Sequence, residues 1–125
     1  MRSRSLSGIR ILVLEDEYLI AMDIEQLCRD HGAEDVSIFH HVPDISDNAA
    51  IAFDIAILDL MLNDESTLPF AESLQSRGIP FVFASGYADD YDRFARFSGV
   101  PVISKPYNPE ELVGAIAQAA KAGSA

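Results

Sequence analysis

Five short apolar runs recur along this chain, and each is closed by a polar or charged residue. They are Arg10-Ile11-Leu12-Val13-Leu14 before Glu15, Val36 to Phe39 before His40, Ile55-Ala56-Ile57-Leu58 before Asp59, Pro80-Phe81-Val82-Phe83-Ala84 before Ser85, and Val100 to Ser104 before Lys105. Runs of this length that are rich in β-branched and apolar residues read as strands buried on both faces. Helical spacing fills the intervals. Ile20, Ile24, Leu27 and Cys28 form one stripe, stopped by Gly32, and Phe70, Ala71 and Leu74 form another, stopped by Gly78. Residues 44 to 52 and the stretch Asp89 to Phe97 are predicted to be helical as well. Asn108-Pro109-Glu110-Glu111 is the best helix start in the chain, with a capping side chain, Pro at the first position and Glu at the third. Leu112, Val113, Ile116 and Ala120 then form its buried stripe.

Strands that alternate with helices pair in parallel through right-handed crossovers. The predicted fold is therefore α/β, a doubly wound five-stranded parallel sheet covered on both faces by five helices. At 125 residues the chain is one domain. Residues 9 to 121 are expected to be its body, with a disordered lead-in over 1 to 8 and a tail over 122 to 125.

Charge narrows the function. Twenty acidic residues against nine basic ones give a net charge of −11, which disfavours nucleic acid or an anionic membrane as a partner. A cation or a basic protein surface suits it better. Arg10 interrupts any apolar core of a signal peptide, and Asp54 and Asp59 break the most apolar region, so neither a leader nor a membrane span is expected. The expected location is cytoplasmic. A single cysteine, Cys28, excludes an internal disulfide and reads as core.

In an open parallel sheet, ligands bind beyond the carboxyl ends of the strands, at the switch in strand order. The residues that follow the strands are Glu15 and Asp16, Asp59, Ser85, and Lys105. Carboxylates brought together repel one another unless a cation lies among them, and a hard oxygen set with open positions favours Mg²⁺. Lys105 and the Ser85 hydroxyl would hold the remaining oxygens of a phosphoryl group. Asp59, alone at the end of the central strand, suits attack on phosphorus to give an acyl phosphate.

These motifs resemble the receiver domain of bacterial two-component response regulators. The matching residues are Ile11-Leu12-Val13-Leu14-Glu15-Asp16-Glu17, Ile57-Leu58-Asp59-Leu60, Ala84-Ser85-Gly86 and Ser104-Lys105-Pro106. The resemblance implies a flavodoxin-like strand order, 2-1-3-4-5. It implies Asp59 as the phosphoacceptor for a sensor histidine kinase or phosphotransfer protein. Asp16, Asp59, Glu15 and the carbonyl of Met61 would ligate Mg²⁺. Ser85 and Lys105 would contact the phosphoryl oxygens. Such a domain is not an enzyme in the usual sense, but assists its own phosphorylation and dephosphorylation.

The segment Phe83-Ala84-Ser85-Gly86-Tyr87 is similar to the Phe-Ala-Thr-Gly-Tyr signature of short FATGUY-type receivers. That subgroup lacks the Pro-Gly turn after the acceptor, and the corresponding loop here reads Asn63-Asp64-Glu65-Ser66-Thr67. One position departs from the family. Val102 stands three residues before Lys105, where many receivers carry a Tyr or Phe that rotates inward on activation. Tyr87, Tyr91 and Tyr107 are the candidates for a switch or partner face, and residues 88 to 107 are the first region to search for it.

Four functions were weighed. The leading one is a single-domain response regulator, with output through contacts to an unknown downstream protein or as a phosphate sink, because the sequence ends shortly after the last helix. Val102 motivates a non-phosphorylated receiver-like binding module instead. An aspartyl phosphatase would need a second Asp where Met61 stands. A flavin site is disfavoured by Glu15-Asp16-Glu17, which repels phosphate. His31, His40 and His41 raise a metal site or a phosphohistidine, but the adjacent pair lacks zinc spacing and His31 suits a helix C-terminus.

Overall fold

The computed structural model describes residues 5–41, 53–59, 61–62, 64–85, 97, 99–104 and 108–123. Its strands are β1 (Arg10–Leu14), β2 (Asp35–Phe39), β3 (Ile55–Asp59), β4 (Met61–Leu62), β5 (Glu65–Ser66), β6 (Phe81–Ser85) and β7 (Val102–Ser104). Its helices are α1 (Tyr18–Asp30), α2 (Leu68–Ser76) and α3 (Pro109–Gly123). The main sheet runs β2-β1-β3-β6-β7, with every neighbouring pair parallel. This is the doubly wound order expected from the resemblance. The predicted helices over 44 to 52 and 89 to 97 lie outside the described residues, apart from Phe97.

Alternation along the strands sorts the core into two layers, as a period of two requires. Ile11, Val13, Ile55, Ile57, Val82 and Ile103 pack with Ile24 and Cys28 of α1 and with Leu112, Val113 and Ile116 of α3. Leu12, Leu14, Ala56, Leu58, Phe81 and Phe83 face the other way, against Ala71 and Leu74 of α2 and against Phe97. Phe81, Phe83 and Phe97 meet edge to face, with ring centroids 5.3 to 5.7 Å apart. Cys28 is buried in the first of these layers, and burial pushes its thiol up to about 12.

The helix ends follow local chemistry. Gly32 and Gly78 adopt left-handed backbone after α1 and α2 and donate to the carbonyls of Arg29 and Gln75. The Asn108 side chain accepts from the Glu111 N–H at 3.1 Å, the predicted cap of α3.

Two features depart from expectation. Residues 1 to 8 were expected to be a lead-in, yet Leu6 is fully buried with Ile11 and Val36, and its N–H donates to the His31 carbonyl at 2.9 Å. One leucine after a basic, Ser-rich start carries no periodicity, so nothing local marks it. The segment Asn63 to Thr67, expected to be a loop, contributes Glu65–Ser66 to a small antiparallel ladder with Met61–Leu62. Asp64 there takes a φ of 66°, a left-handed turn that Asp tolerates. The last sheet strand starts at Val102, two residues later than predicted. Pro101 has no N–H to donate, and contributes its carbonyl to Phe83 N–H instead.

Candidate functional site

The register of the ladders decides what meets at the carboxyl edge. Leu14 pairs with Leu58, so Glu15 and Asp59 leave their strands at the same level. Asp59 pairs with Ala84, and Ser85 with Ser104. The ends of β1, β3, β6 and β7 therefore form one rim, at which strand order switches between β1 and β3.

Three carboxylates converge there. Glu15, Asp16 and Asp59 each offer an oxygen, and these oxygens lie within 4.8 Å of one another. Glu15 is 1 % exposed, a buried acid at the end of an apolar strand. Its N–H donates to the Phe39 carbonyl, and its carboxylate accepts from the Glu17 N–H at 3.4 Å. Such a cluster of hard oxygens suits a divalent cation, which would offset the mutual repulsion of the three charges.

Two side chains from outside the cluster bond the backbone of its members. Nδ1 of His40, just past β2, lies 2.9 Å from the Glu15 carbonyl oxygen. A carbonyl can only accept, so Nδ1 carries the proton. Tyr18 packs beside this ring, with centroids 6.0 Å apart. The hydroxyl of Thr67 donates to the Asp59 carbonyl at 2.6 Å. Sequence reasoning passed over both contacts. In the sequence His40 is a candidate only for a metal site or a phosphohistidine. Thr67 reads in the sequence only as the end of the loop that follows the acceptor.

Met61 lies two residues beyond Asp59, in the small hairpin. Ser85 ends β6, one residue beyond the partner of Asp59. Val102 is 42 % exposed at the start of β7. Lys105, Tyr87, Tyr91 and Tyr107 lie outside the described residues. At the opposite edge, Arg10 and Asp54 form a clasp. The Asp54 carboxylate accepts from the Arg10 backbone N–H at 2.9 Å and from its guanidinium at 3.2 and 3.3 Å. No helix among the described residues is long and apolar enough to cross a membrane.

The fold and the rim thus define a doubly wound α/β domain with an acidic site at its topological switch. No family model matches the chain. Response regulator ArlR of Staphylococcus saprophyticus is 31% identical over 111 residues, covering 86% of this chain and 50% of that protein. Transcriptional regulatory protein DltR of Streptococcus agalactiae is 28% identical over 112 residues, again 86% of this chain and 50% of that one. The chain spans about half the length of these curated relatives. The solved N-terminal receiver domain of a response regulator from Bacteroides fragilis superposes with a TM-score of 0.75 at 21% identity, covering 91% of this chain and 98% of that one. Over most of its length the chain is thus similar to response regulators, and its fold is that of a receiver domain.

Proposed function

We propose that this receiver accepts a phosphoryl group on Asp59 from a phosphohistidine of a sensor kinase or phosphotransfer protein, with Mg²⁺ held by Glu15, Asp16 and Asp59. The observation that carries this reading is the cluster of three carboxylates within 4.8 Å at the strand-order switch. Bound there, Mg²⁺ would neutralise charge on the transferring group. A carboxylate oxygen of Asp59 attacks phosphorus. The new P–O bond forms as the P–N bond breaks, and the leaving imidazole takes a proton. The Met61 carbonyl completes the protein ligands in this reading. Ser85, the last residue of β6, and Lys105, next in sequence after β7, contact the transferred oxygens, and these two strands pair side by side.

Hydrolysis of the acyl phosphate resets the domain, so it times its own signal without turning over a separate substrate. The signal passes through contacts to a downstream protein, with Tyr87, Tyr91 and Tyr107 as candidates for the face that changes. The segment from Phe83 to Tyr87 supports a place among FATGUY-type receivers.

The test is intact mass after incubation with a small phosphodonor. One added phosphoryl group is expected with Mg²⁺, and none with a chelator or in Asp59→Asn. An unchanged mass, with partner binding indifferent to both donor and Mg²⁺, would support the silent binding module that Val102 suggested.

A further inference from the structure

Thr67 occupies the residue before α2, where a threonine side chain ordinarily caps the helix. It makes no such cap. The Ser66 hydroxyl accepts from the Leu68 N–H at 3.2 Å instead. Thr67 is 0 % exposed, and its hydroxyl donates across to the carbonyl of Asp59. A buried hydroxyl must find a partner, and here the partner is the peptide of the acidic residue itself.

This bond closes the segment from Asp59 to Thr67 at its two ends. Between them lie Leu62, buried against α2 with Ala71 and Leu74, and the ladder that pairs Met61 with Ser66. The donor is stiff, because branching at Cβ restricts its rotamers and burial holds it. The carbonyl it holds belongs to the peptide leaving Asp59. Its orientation fixes how the chain departs from that residue, and with it the place of the Asp59 carboxylate and of the Met61 carbonyl.

We propose that Thr67 is a positioning residue for the site, whose hydroxyl sets the Asp59 peptide in the orientation that cation binding and phosphoryl transfer require. This rests on the reading of Glu15, Asp16 and Asp59 as a Mg²⁺ site. Groups that orient ligands from outside change metal affinity about 10- to 100-fold when removed.

Thr67→Val keeps the shape and removes the donor, whereas Thr67→Ser keeps the donor and removes a methyl. Mg²⁺ binding is measured by calorimetry on wild type and both variants, beside melting temperatures in chelator. The expected result is Mg²⁺ affinity about tenfold weaker in Thr67→Val, with Thr67→Ser close to wild type. A merely structural threonine would lower the melting temperature and leave the affinity unchanged in both, and that outcome overturns the proposal. Equal loss of affinity in both variants overturns it too, since packing and not the hydroxyl would then matter. If Thr67→Val does not fold, Thr67→Ala takes its place as the variant without the hydroxyl: affinity about tenfold weaker than in Thr67→Ser supports the proposal, and equal affinity overturns it. Failure of wild type to bind Mg²⁺ would instead reject the underlying reading of the site.

Discussion

Asp59 and Ala84 stand opposite each other in the parallel ladder between β3 and β6. Ser85 is therefore the next residue outward beside the proposed acceptor. In Ser85→Ala, the phosphorylation rate from a small donor should fall about 100-fold, the usual effect of losing one donor to developing charge. Ser85→Thr should restore most of it. Equal rates in all three proteins would remove Ser85 from the site.

The crowding of Glu15, Asp16 and Asp59 predicts opposite effects of one substitution in two buffers. In chelator, Asp16→Asn should be as stable as wild type or up to about 1 kcal/mol more stable, because a repulsion is relieved. With Mg²⁺ at ten times its dissociation constant, wild type should gain about 1.4 kcal/mol and the variant much less. Urea titrations with and without Mg²⁺ measure both. A variant that gains as much as wild type would place the cation elsewhere.

Leu6 offers a test of where the folded body begins. Its side chain is fully buried beside Ile11 and Val36. Leu6→Ala should cost about 2 to 5 kcal/mol, the range for buried leucine truncation. A loss within about 0.5 kcal/mol, typical of surface sites, would return this segment to the status of a lead-in.

The Arg10–Asp54 clasp carries a pH signature. Its guanidinium hydrogen bond holds the Asp54 carboxyl below its ordinary value. A depressed folded value means that the contribution is fully present above the unfolded value, near 3.9, and is lost as pH falls through the folded one. Both side chains are 42 % exposed, so the effect at neutral pH is about 1 kcal/mol or less. The stability gap between wild type and Asp54→Asn should be open at pH 7 and close on acidification. A gap constant from pH 7 to pH 2 would show that the charge plays no part.

Much of this was legible in the sequence because it depends on local pattern. Ile11 to Leu14 and Ile55 to Leu58 are apolar without interruption, and burial on both faces of a parallel sheet demands that. Strand ends then placed Glu15, Asp16 and Asp59 on one rim without knowledge of any tertiary contact. What escaped notice depends on contacts between distant segments. Thr67 reads as part of a loop until the Asp59 carbonyl is seen beside it, His40 as a weak metal or phosphohistidine candidate until Glu15 is, and Asp54 as a break in an apolar run until Arg10 is. The hairpin of Met61–Leu62 with Glu65–Ser66 is too short for any periodicity to announce it.

The central claim is that Asp59 carries the phosphoryl group. Borohydride reduction of the donor-treated protein converts an acyl phosphate to the corresponding alcohol, and peptide mapping then locates it. The account predicts homoserine at position 59, dependent on Mg²⁺ and absent without donor. Modification at another carboxylate or at a histidine, with Asp59 intact, would contradict it.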